Sequence, residues 1–225
     1  MKNLVIFAAV TLILIGATVR PISSQVVNGS FETGHQDPGQ FWIILGTGST
    51  MLDPWFVSSG GVDYIGLWWQ ASDGVKSVDM NSAAAGQIRQ IVATAPGTTY
   101  GVAFDMSGNP DPVPPAVKLM TVTADGGQAV QFAYDVSQAV NTRSDMRWSP
   151  RQYTFTAAGA STVLAFTSNV GGSAGPVLDN VRVVALEGVC HRNNGKKGQK
   201  TLMVSPSAVP AHLAHGDTQG PCPED

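Results

Sequence analysis

An all-β fold, a two-sheet antiparallel β-sandwich, is predicted by three features of this sequence. Short runs of alternating apolar and polar residues recur from Val26 to Val184, and Gly, Pro, Asn and Asp separate them. Beyond the amino-terminal apolar run there is no sustained i, i+3, i+4 pattern that would mark a helix. The 25 glycines and 14 prolines, with only 13% charged residues, suit a loop-rich β protein.

Taken in order, residues 1–24 read as a signal peptide. Lys2 precedes the apolar stretch "LVIFAAVTLILIGATV", and the small residues of "ISS" stand before Gln25. The stretch falls just short of the ~20 apolar residues that span a bilayer, and Arg20 and Pro21 follow it directly. The expected mature chain starts at Gln25, is secreted to the extracellular space and has no membrane span. The sandwich is expected over residues 25–186. In "TTYGVAFDM" the side chains of Tyr100, Val102, Phe104 and Met106 share one face, as Tyr153 and Phe155 do in "RQYTFTA". "ADGGQ" (124–128) and "AAGAS" (157–161) read as hairpin turns. The segments "VVNGSFE" and "LDNVRVV", from opposite ends of the sandwich, are expected side by side. Residues 187–225 lose the alternation and read as a small irregular C-terminal appendage. It holds both cysteines, Cys190 and Cys222, and His191, His212 and His215. In an oxidising compartment the cysteines are expected to form a disulfide. Two cysteines and two histidines could instead hold zinc, although the spacing matches no standard finger.

The formal net charge of −3 excludes nucleic acid as an expected partner. The stretch "VDYIGLWWQASDG" gathers flat aromatic rings with planar polar groups, the two things a sugar site needs for stacking and for hydrogen bonds to hydroxyls. Its candidate carbohydrate-binding residues are Asp63, Tyr64, Trp68, Trp69 and Gln70. The rigid loop "SGNPDPVPP" adds Asn109 and Asp111 at the rim. Trp68 and Trp69 are neighbours, so in a strand they would face opposite ways and one would belong to the core. Catalysis is not expected. "GGSAG" (171–175) has the spacing of a nucleophile elbow but leads into a strand instead of a helix, and no spacing singles out a carboxylate pair.

"VVNGSFETG", "VDYIGLWWQASDGVKSVDMNS", "GQIRQIVATAPGTTYGVAFDMSGNP" and "GPVLDNVRV", in that order, resemble the choice-of-anchor C family, related to plant cell-wall proteins with galactose-binding-like domains. The resemblance covers Val26 to Val184. "LDPWFV" (52–57) departs from it, and the residues after Leu186 do not read as that family's sorting anchor. It implies a jelly-roll sandwich and action on polysaccharide outside the cell. It also implies a structural calcium ion held by the carboxylates of Glu32 and Asp179, the side chain of Asp73 and the backbone carbonyls of Ser30 and Lys76. The function expected is non-catalytic binding of a cell-wall or extracellular polysaccharide. The alternative is a structural or adhesion protein that binds protein.

Overall fold

The computed structural model describes residues 25–192 and 198–223. The expected signal peptide lies outside the described residues. Strands numbered in chain order fall into three sheets, all of them antiparallel. One sheet has six strands in the order β1 (Trp42–Gly46), β3 (Gly61–Ile65), β4 (Ser77–Asp79), β11 (Pro176–Ala185), β6 (Thr99–Gly108) and β9 (Ser149–Thr156). The second has five, in the order β2 (Phe56–Ser59), β5 (Gln87–Ala93), β10 (Ser161–Ser168), β7 (Val117–Ala124) and β8 (Val130–Asp135). A single turn of helix, α1 (Val136–Ala139), follows β8, with the Asp135 side chain capping it through Ser137 N.

The two larger sheets pack face to face, as the alternation predicts. Tyr100, Val102, Phe104 and Met106 of β6 meet Met120 and Val122 of β7 and Leu164 and Phe166 of β10 in one buried cluster. Gln90 occupies an inward position between Ile88 and Val92, where an unpaired amide would be costly. Its side chain exchanges two hydrogen bonds of 2.9 Å with the backbone of Val27, so the chain start is fixed to the sheet. The same segment runs beside β11, with Gln25 N donating to Val183 O and Val181 N to Gly29 O, both at 2.8 Å. The two ends of the sandwich therefore meet as expected.

"ADGGQ" is a hairpin turn between β7 and β8. "AAGAS" is not a hairpin, because β9 lies in the six-stranded sheet and β10 in the five-stranded one. The connection instead crosses between sheets beside the equivalent crossing from β5 to β6, with Gly97 N bonded to Ala157 O and Ala157 N to Thr98 O. Alternation reports which face a residue takes and is silent on whether the next strand pairs or crosses.

Where an irregular appendage is expected, its described residues form a small sheet. β12 (Glu187–Arg192) lies between β13 (Gln199–Val204) and β14 (Thr218–Gln219), with a short helix α2 (Val209–Ala214) packed alongside. Cys190 and Cys222 form a disulfide across it. Among the described residues no helix is long and apolar enough to cross a membrane.

Candidate functional site

The site lies on the outer face of the six-stranded sheet. On β3, Val62 and Tyr64 point into the main core and leave Asp63 and Ile65 outside; on β4, Val78 points in and leaves Ser77 and Asp79 outside. An outer face would ordinarily be wet. Here Ser77, Asp79, Ser107 and Asp179 are all buried, because the loops after β3, after β6 and before β9 and β11 fold over them. Beneath these loops Ile65, Trp69, Met146 and Val177 make a second, small apolar cluster.

Two pairs of carboxylates face each other across neighbouring strands, Asp63 against Asp79 and Asp105 against Asp179. Like charges in direct opposition are destabilising unless donors are supplied. Asp79 receives three: Asn109 Nδ2 at 2.7 Å, Asn81 N at 2.9 Å and Gly175 N at 3.0 Å. Asp105 accepts from Ser72 Oγ and Asn180 Nδ2. Asp179 accepts from the backbone N–H of Ser72, Asp73 and Asn180. Asp63 is the exception, since its Oδ1 is buried with no hydrogen-bond partner. Burial pushes the Asp63 carboxyl up to about 7. Burial also raises Asp79 to about 7, against the opposing pull of the Asn109 amide and the Asn81 and Gly175 N–H groups, with the Asp63 charge adding to the rise.

Asp63 and Asp79 form the floor of a cleft of about 130 Å³. Trp42, Trp68, Trp69, Asn109, Asp111, Ser173 and Ala174 line it too. Trp42, at the start of the edge strand β1, is 41% exposed, and its ring lies 5.2 Å from that of half-buried Trp68. The Arg143 guanidinium stacks 3.8 Å from the centre of the Trp68 ring and donates to Asp111 Oδ1 at 2.6 Å. One cation thus fixes an aromatic and a carboxylate on the rim. Two further lining residues are fixed by Lys118, a buried ammonium that donates to Val113 O and Ala174 O. Burial lowers its pKa and the nearby Asp79 charge opposes that shift.

Of the sequence-derived sugar candidates, Asp63, Trp68, Trp69, Asn109 and Asp111 line this cleft. Trp69 is buried and donates its indole N–H to Ser77 Oγ. Tyr64 is not on the cleft: it is fully buried in the main core, with its hydroxyl donating to Phe31 O. Gln70 is a fastener of the covering loops, accepting from Met146 N with its side chain and from Trp148 Nε1 with its carbonyl. Sequence reasoning missed Trp42, Asp79, Arg143 and Lys118. Asp79 was visible in "SVDMN" as an aspartate flanked by core residues, but nothing in the sequence pairs it with Asp63.

Glu32, Asp73, Lys76 and Asp179 also come together, around the loop 72–76. Glu32 Oε1 accepts from Val75 N at 2.8 Å and Lys76 N at 2.7 Å, and Lys76 Nζ lies 3.2 Å from the Glu32 carbonyl. Gly74 has a positive φ and sits so close to the Glu32 carboxylate that a Cβ there would overlap it. Calcium needs converging oxygen acceptors. Here Glu32 Oε1 and the Asp179 carboxylate accept from peptide N–H groups, while the Lys76 ammonium donates to the Glu32 carbonyl. Ser30 belongs to the turn before them, where Asn28 takes a left-handed conformation and its side chain exchanges hydrogen bonds with Thr33. Gly29 there lies against the Val181 carbonyl with no room for a side chain. Burial raises Asp179 to about 7, and its three N–H donors pull the other way.

Halomucin of Haloquadratum walsbyi (strain DSM 16790 / HBSQ001) is 30% identical over 189 residues, which are 80% of this chain. The chain spans 2% of the length of that relative. Among solved structures, TmCBM61 in complex with beta-1,4-galactotriose aligns with a TM-score of 0.45 and 16% identity, over 72% of this chain and 98% of that one. A family 16 carbohydrate-binding module aligns with a TM-score of 0.43 and 20% identity, over 62% of this chain and 96% of that one. The family model described as a protein of unknown function (DUF642) matches residues 24–184, and the chain belongs to that family.

Proposed function

We propose that this is a secreted, non-catalytic carbohydrate-binding protein that takes a sugar ring of an extracellular or cell-wall polysaccharide into the cleft above Asp63. The observation that carries this reading is that Asp63 lines a cleft together with the accessible rings of Trp42 and Trp68. A sugar supplies both complements, a C–H face for the rings and a hydroxyl donor for the carboxylate. The cleft is small against the roughly 300–1,000 Å³ of sites that enclose a whole ligand, so it suits one ring or a chain end. Glycoside hydrolysis needs two free carboxyl groups. Asp79 has both oxygens engaged by donors and Asp111 is paired with Arg143, which leaves Asp63 as the one free carboxyl group among the residues lining the cleft and favours binding over chemistry.

A structural or adhesion protein that binds protein is the second reading, favoured by the exposed apolar rim of Phe41 (60%) and Leu67 (54%). A glycan array followed by pull-down on insoluble wall polysaccharides separates the two. Trp68→Ala and Asp63→Ala are each expected to weaken retention roughly tenfold, the order of a lost stacking or hydrogen-bond contact, without a large fall in melting temperature. Trp69→Ala serves as the contrast: losing a buried indole should cost about 3–5 kcal/mol of stability. Retention unchanged in Trp42→Ala, Trp68→Ala and Asp63→Ala alike would remove the cleft from consideration.

A further inference from the structure

In the C-terminal sheet, one ring nitrogen each of His191 and His212 and one oxygen of Asp217 all lie within 4.8 Å of one another. Both imidazoles address the same atom: His191 Nδ1 is 2.9 Å and His212 Nδ1 2.8 Å from Asp217 Oδ2. The three residues come from β12, from α2 and from the residue just before β14. Asp217 has a side chain only 1% exposed, while the two histidine side chains are 36% and 25% exposed. The second carboxylate oxygen is oriented from behind by Arg192 N at 2.9 Å.

We propose that His191, His212 and Asp217 form a binding site for a divalent transition-metal ion, zinc foremost. The ligand chemistry selects the class. Calcium and magnesium take oxygen ligands throughout, whereas two imidazoles and one carboxylate suit zinc and its neighbours. No thiolate takes part, because Cys190 and Cys222 are joined to each other. Zinc at 2.0–2.2 Å from tetrahedral ligands sets them about 3.4 Å apart, so the two Nδ1–Oδ2 separations need widen by only about half an ångström. Orientation of the carboxylate by a backbone N–H is the support that metal ligands receive from their surroundings. Three protein ligands leave a fourth position open to water or to an oxygen of another molecule. The site does not depend on the carbohydrate reading.

Zinc titrated into the full chain, disulfide intact, in competition with a chromophoric chelator should show one equivalent bound. Cobalt should give the visible absorption of a four-coordinate ion. His191→Gln and His212→Gln should each weaken zinc at least tenfold, and acid should release it, because only neutral imidazole binds metal. If a variant loosens the appendage, the cobalt spectrum of the unaltered chain still decides. No zinc bound at 100-fold molar excess, or the same stoichiometry in the double histidine variant, would overturn the site and leave a hydrogen-bonded cluster.

Discussion

Asp63 is where burial and a missing donor act together. In the unfolded chain its carboxyl ionises near 4, whereas in the folded protein it holds its proton up to about 7. A raised pKa gives stability that is complete below the unfolded value and is lost as pH rises through the folded one. Asp63→Asn, neutral at every pH, should therefore gain in melting temperature relative to the parent between pH 4 and pH 7. Thermal melts of the two proteins across that range check it; a constant difference would mean that Asp63 is ionised throughout. Part of this was legible in the sequence. Asp63 and Tyr64 are consecutive in a strand, and period two forbids both from facing one site. The same rule places Tyr64 with Val62 in the core. That Asp63 would be covered was not legible, because the covering loops come from residues about 70, 110, 145 and 172 and meet only in the folded sheet.

At the scale of elements, the loop 72–76 is held by two of the residues that the family resemblance assigns to calcium. Glu32 stands at the end of the opening segment and Asp179 on β11, and each grips a different part of the loop through peptide N–H groups. Glutamate reaches where aspartate would fall short by a methylene. We therefore expect EDTA to leave the melting temperature unchanged, while Glu32→Ala lowers stability by about 1–3 kcal/mol, the value of hydrogen bonds to a charged acceptor. A midpoint that falls with chelator and returns with added calcium would restore the ion implied by the motif. The sequence marked these residues as a group, since "VVNGSFE" and "GPVLDNVRV" both bound the sandwich. It could not show whether oxygen or N–H would face them, because the backbone direction of the loop between β3 and β4 decides that.

At the scale of the whole molecule, the sandwich and the appendage are joined covalently but have separate interiors. The main cluster draws its buried residues from Val26 to Val183, and no residue of β12, β13, β14 or α2 belongs to it. The appendage has Val189, Cys190 and Val209 buried around its own disulfide, with Leu186 packing over Gly101 at the junction. So few buried side chains cannot offset the conformational entropy of a unit this size, and a cross-link is the usual remedy. The bridge spans 32 residues of sequence, and the chain-entropy model assigns such a loop about 3–4 kcal/mol, all of it confined to the enclosed segment. Reduction should therefore release the appendage while the sandwich keeps its own transition. Near-neutral reduction followed by hydrogen exchange should show fast exchange at the β12 and β13 amides and unchanged protection in β6 and β10. Loss of protection in β6 at the same rate as in β12 would mean that the two parts unfold as one, and that the disulfide stabilises a core larger than the one the buried residues define.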